Sequence, residues 1–202
     1  MSNLGQKFNV AALIKRSDFY LIPNLLTVSR VFAIPLVAGL AYYQWNYTAA
    51  FMFSLAGISD YVDGWIARKY HYESKLGMLL DPLADKLIIV STMIMLMWLG
   101  RLDIAIKGEP AELVPPVLVI VTVGREIAIT GLRGIASSIG LMMPAEQGGK
   151  IKTWIQFFAI LFLLLDSSPW LKIGQVLLAI SVVAALWSAI QYTIRFVRGL
   201  PA

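Results

Sequence analysis

The sequence predicts an all-α integral membrane protein: six transmembrane helices, a short N-terminal interfacial helix, and both termini on the cytoplasmic side. Three observations carry this. Of 202 residues, 58% are hydrophobic and only 14% charged, with a mean hydropathy of +0.73, whereas soluble domains carry about a quarter charged residues. Apolar runs recur at lengths near the ~20 residues that cross a bilayer. Lys and Arg collect in alternate links, as the positive-inside rule requires.

Residues 1–22 form an N-terminal amphipathic segment. Phe8, Val10, Leu13, Ile14 and Phe19 alternate with Lys7, Lys15 and Arg16, the pattern of a helix lying in the interface. One membrane domain over 23–198 follows. Its spans are expected at 23–43, 48–68, 76–99, 113–135, 151–166 and 173–196, the last two marked by the unbroken runs Ile155–Leu165 and Val176–Leu186. No cleavable signal sequence, repeat or soluble linker is expected. The basic residues Lys7, Lys15, Arg16, Lys69, Lys75, Lys150 and Arg198 fall on one side. The opposite links hold only Arg101, Lys107 and Lys172, diluted by Asp103, Glu109 and Glu112. The first side is therefore cytoplasmic, in an inner or plasma membrane. The formal charge of +5 is explained by attraction to membrane lipids with anionic headgroups rather than to nucleic acid. With zero Cys, disulfides and thiolate chemistry are excluded.

Against this apolar background, four carboxylates stand out. Asp60 and Asp63 close span two, and Asp81 and Asp85 open span three. At helical spacing Asp60, Asp63, Gly64 and Ala67 share one face, and Gly77, Asp81 and Asp85 share another. Two helices joined by the polar link Lys69–Lys75 can turn all four acids toward one point. An Asp at the centre of a membrane helix costs roughly 2.5–3.5 kcal/mol, so such groups persist when they pair or bind cations. Arg68 and Lys86 are too few to neutralise four acids. An all-oxygen set suits two hard divalent cations, Mg²⁺ or Mn²⁺. Metals just inside a membrane interface suit phosphoryl transfer on a lipid. A hydroxyl acceptor would need a base; Asp85 is the natural candidate, although spacing alone does not separate it from Asp81.

The pattern Asp60-x2-Asp63-Gly64-x2-Ala67-Arg68-x8-Gly77-x3-Asp81-x3-Asp85 resembles, at every fixed position, the signature of the CDP-alcohol phosphatidyltransferases. The resemblance implies six transmembrane helices, a homodimer, two divalent metals, and displacement of CMP from a CDP-activated lipid by an alcohol. It implies that Asp60, Asp63 and Asp81 are metal ligands, and that Asp85 is the base and also contacts a metal. It places Asp60, Gly64, Ala67, Arg68 and Gly77 at the CDP-lipid, joined by Asn24 and Thr27 from the segment Pro23–Arg30.

The acceptor is read from cations. Span four carries Gly124-Arg125-Glu126 and Arg133, eight residues on, and span five opens Gly148-Gly149-Lys150-Ile151-Lys152. With Arg30, these cations suit an anionic acceptor such as a phosphomonoester. These segments are similar to those of family members that join glycerol 3-phosphate to CDP-diacylglycerol, over about residues 22–198. Phosphatidylglycerol, inositol phosphate and serine are the alternative acceptors. Outside catalysis, a cation-coupled carrier is the rival, but carriers place their acids near the midplane between repeats, and here the acids crowd one edge.

Overall fold

The computed structural model describes residues 22–70, 75–104, 113–141 and 147–199, with side chains described throughout these except at 22–27, 60–70, 75–82, 85 and 147–151. All regular structure among the described residues is helical: α1 (Ile22–Tyr42), α2 (Asn46–Tyr70), α3 (Lys75–Trp98), α4 (Val114–Ser138), α5 (Gln147–Leu165) and α6 (Trp170–Gly199). Each helix covers one of the six expected apolar segments. The expected interfacial helix lies outside the described residues.

Among the described residues α4 and α6 are long and apolar enough to cross a membrane, and only 22% and 33% of their most apolar windows are buried. A core helix of a soluble protein would hide that surface. Here it faces outward, as a lipid-facing helix does, and α1, α3 and α5 contribute shorter apolar stretches at Val28–Tyr42, Lys86–Trp98 and Lys152–Leu165.

The connections follow from how the helices stop. At the end of α3 the amide of Arg101 donates to the carbonyl of Leu96 (3.0 Å) and that of Gly100 to Met97 (3.0 Å), with Gly100 at φ +71°. This is the Schellman arrangement, whose left-handed residue costs glycine nothing. Gly140 repeats it after α4, through Leu141 N to Ala136 O (2.9 Å). In each case the left-handed glycine ends the helix and turns the chain out of its axis.

The described core lies in the half of the bundle near the 42–46, 98–114 and 165–170 connections. Phe53, Met93, Leu96, Ile160, Leu163 and Leu178 are buried there. Helices approach closely where residues are small, because lipid gives no hydrophobic drive and packing must supply the attraction. Gly174 of α6 is such a point, where backbone meets backbone: a Cβ there would meet Ala159 O and Leu163 N of α5 at 3.0 Å each.

Arg101 locks this end. It is 3% exposed, delivered inward by the turn at Gly100. Its guanidinium donates to Leu164 O (3.0 Å), Gln44 Oε1 (3.0 Å) and Asn46 Oδ1 (2.7 Å), and pairs with Asp166 Oδ2 at 3.2 Å. One planar fork thus caps the carbonyl end of α5 and ties it to the α1–α2 and α5–α6 connections. Burial pushes the Arg101 pKa below its ordinary value, and the Asp166 carboxylate opposes that. Gln175 of α6 closes the same corner by donating to Arg101 O and Asp103 O, both at 3.2 Å.

Arg101→Ala leaves buried acceptors unmet and is expected to cost roughly 3–5 kcal/mol. In a thermal unfolding scan of the detergent-solubilised protein its midpoint falls furthest. Arg101→Lys lies between, because an ammonium cannot span Asn46 and Leu164 together. A midpoint equal to that of the parent protein would remove this clamp from the account.

Candidate active site

The aspartate pattern lies where two helices meet the same connection. α2 carries Asp60, Asp63, Gly64, Ala67 and Arg68 in its last three turns, and α3 carries Gly77, Asp81 and Asp85 in its first three. Asp63 stands seven residues before the end of α2 and Asp81 six after the start of α3. At 1.5 Å per residue that is roughly 10 and 9 Å from the shared connection, and both Asp60 and Asp85 lie roughly 15 Å from it. The backbone therefore puts the acids at two matched levels on adjoining helices. The side chains of all eight motif residues lie outside the described ones, as do those of Asn24, Thr27 and Lys150. Among the described residues no group of three or more His, Cys, Asp or Glu gathers as a metal cluster. The fit to a divalent cation thus rests on donor chemistry and matched level: four carboxylates, no thiolate, and two helices that bring them to equal depth.

Immediately after Asp85 a second polar cluster begins, and here the side chains are described. It is organised by Glu126 of α4. Its Oε1 accepts from Arg125 Nη1 at 3.0 Å and from Lys152 Nζ of α5. Arg125 is also held by α6: its Nε donates to Ala185 O and its Nη2 to Ser188 Oγ, each at 3.1 Å. On the other side, Lys86 Nζ of α3 donates to Thr130 Oγ1, and that hydroxyl donates to Glu126 O at 2.7 Å. Four helices are joined through one carboxylate and its neighbours. The reason is elementary: a buried ion in an apolar bundle must meet an opposite charge or a dipole. Lys152, 5% exposed, meets Glu126, which is 20% exposed.

Of the cations expected at an acceptor, the structure brings Arg125 and Lys152 together. Arg133, two turns along α4, lies apart, its guanidinium carbon 5.1 Å from the centre of the Tyr192 ring, a cation–π contact. Arg30 is buried at 2% exposure in α1. Glu126, Lys86, Thr130 and Ser188 are the members that sequence reasoning passed over. Glu126 had a usable signal: a carboxylate inside the apolar stretch 117–129 requires a cationic partner, and Lys150 and Lys152 are the candidates on the next helix. Lys86 had one too, since it follows Asp85 directly.

Three cations around one carboxylate leave a surplus of two positive charges. A phosphomonoester carries about −1.5 to −2 at neutral pH. The cluster can therefore receive such a group, beside a helix bearing acids suited to metal.

Comparison with known proteins now decides the lineage. Residues 20–187 match the model of the CDP-alcohol phosphatidyltransferase family. The chain belongs to this family. The match covers all four aspartates and the whole Glu126 cluster except Ser188, one residue beyond its end. Among curated relatives, the CDP-diacylglycerol–glycerol-3-phosphate 3-phosphatidyltransferase of Bacillus subtilis is 33% identical over 188 residues, covering 86% of this chain and 89% of the relative. The enzyme of the same name from Rickettsia felis is 36% identical over 150 residues, 72% of this chain and 76% of its own. An Arabidopsis thaliana relative with that name and the suffix 2 is 34% identical over 190 residues, 89% and 81% respectively. CDP-alcohol phosphatidyltransferases are membrane enzymes that generally depend on divalent metal, which accords with the donor set on α2 and α3.

Proposed function

We propose that this chain transfers the phosphatidyl group of CDP-diacylglycerol to sn-glycerol 3-phosphate, releasing CMP and forming phosphatidylglycerol phosphate. The observation that carries the acceptor is the surplus of positive charge at Lys86, Arg125 and Lys152, of which Lys86 follows Asp85 directly on α3. It matches a dianion; serine, with no net charge, would leave it unbalanced. The same reading is what relatives so named, over most of this chain, support.

In this reading Asp60, Asp63, Asp81 and Asp85 hold two divalent cations, Mg²⁺ or Mn²⁺. Bound there, the metals would draw charge from the pyrophosphate oxygens. Asp85 takes the proton of the acceptor hydroxyl, whose oxygen forms the new bond to the lipid-bearing phosphorus as the bond to CMP breaks. Gly64, Ala67 and Gly77, being small, let the CDP moiety approach the helix backbones, with Arg68, Asn24 and Thr27 beside it. Lys152, Arg125, Lys150, Arg133 and Arg30 serve the acceptor phosphate.

The placement in the membrane belongs to the same proposal: six spans, termini and active site at the cytoplasmic face of the plasma membrane, and a homodimer. Basic links at the aspartate end support the orientation. Tyr42, Tyr43, Trp45, Tyr47 and Trp98, all exposed at the opposite end as an interfacial aromatic belt would be, support the spanning placement.

Purified protein supplied with Mg²⁺ or Mn²⁺ is expected to release CMP from CDP-diacylglycerol only when glycerol 3-phosphate is present. Equal release with serine or inositol phosphate would overturn the acceptor assignment. Asp85→Asn should abolish turnover while CDP-lipid binding stays measurable; an active variant removes Asp85 as the base. Lys152→Met is expected to raise KM for glycerol 3-phosphate about 10- to 100-fold, the equivalent of one charged hydrogen bond of 1.5–3 kcal/mol, with little change for CDP-diacylglycerol. An unchanged acceptor KM would make Lys152 a purely structural cation.

A further inference from the structure

We propose that Glu126 is a positioning residue of the acceptor pocket, fixing the Lys152 ammonium against α4 so that its uncommitted N–H groups remain for the acceptor phosphate. This rests on the acceptor reading above, which gives Glu126 no role.

The argument is an inventory of donors. An ammonium has three N–H groups; among the described residues Lys152 commits one, to Glu126 Oε1. A buried cation with two N–H groups left over is poised for an anion. Arg125 is different. Its Nε and Nη2 go to Ala185 O and Ser188 Oγ on α6, and its Nη1 goes to the same Glu126 oxygen. Three of its five N–H groups are thereby committed, and together they tie Glu126 to α6. Placement passes along a chain, from α6 through Arg125 to Glu126 and so to Lys152 on α5. Lys86 is brought to the same place from α3, through Thr130 one turn beyond Glu126. Arg125 thus acts on the acceptor through Glu126, beside Lys152 and Lys86, whose ammonium groups keep N–H groups with which to touch it. A carboxylate so placed would be a poor direct contact for a phosphate, because like charges repel. Its value is in holding cations that would otherwise repel one another.

The test is steady-state kinetics of the full-length protein in lipid–detergent micelles, with each substrate varied in turn. Glu126→Gln is expected to raise KM for glycerol 3-phosphate at least tenfold and to leave KM for CDP-diacylglycerol within twofold. Combining it with Lys152→Met should add little beyond either single change, because both remove one interaction. Glu126→Asp keeps the charge but withdraws it by one methylene; a smaller, severalfold rise in acceptor KM is expected, and this variant also serves if the Gln form does not fold. An acceptor KM unchanged in Glu126→Gln or Glu126→Asp, beside a raised one in Lys152→Met, overturns the positioning role and leaves the acceptor reading standing. Equal rises in both KM values, or additive effects in the double variant, make Glu126 a staple between helices and also overturn it. If Lys152→Met itself leaves acceptor KM unchanged, the acceptor reading falls, and this proposal with it.

Discussion

An ion in an apolar helical bundle has to be met by a counter-charge, a ring of dipoles or a bound ion, because desolvation costs several kcal/mol per charge. That constraint explains the described polar structure at both ends. At one end Arg101 meets Asp166, two side-chain amides and the carbonyls that close α5. Toward the other, Glu126 meets Arg125 and Lys152. The same rule applied to Asp60, Asp63, Asp81 and Asp85 calls for more positive charge than Arg68 and Lys86 carry, and divalent metals supply it in the proposed function.

The two ends are built differently, and the difference suits a catalyst. Around Arg101 the helices are packed through Phe53, Leu163, Leu164 and Leu178, and every named acceptor is satisfied by one rigid fork. Around Glu126 the charge is unbalanced and Lys152 retains spare donors among the described residues. A well-satisfied end holds the bundle; a charge-unbalanced end is a place for a ligand.

Much of the architecture was legible because apolar runs of bilayer length leave little freedom. The helices found at 46–70 and 170–199 bracket the expected 48–68 and 173–196. The helices under the aspartates were legible too, and on them positions three and four apart share a face, as the spacing implied. Arg101 was read only as one cation of a sparse link. Its role depends on the reversal at Gly100, which aims a link residue back into the bundle, and no periodicity announces that. Glu126 was read as the neighbour of Arg125, yet its second partner, Lys152, lies 26 residues away. Pairings between helices depend on which faces pack together. A single sequence gives the faces but not their partners.

The central claim is that the acids of α2 and α3 tolerate their surroundings because divalent ions hold a pyrophosphate among them. CMP release from CDP-diacylglycerol, measured after exhaustive chelation and again after Mg²⁺ or Mn²⁺ is restored, tests this most directly. The account predicts that activity disappears and returns with the metal. Undiminished turnover in the chelated protein would contradict it.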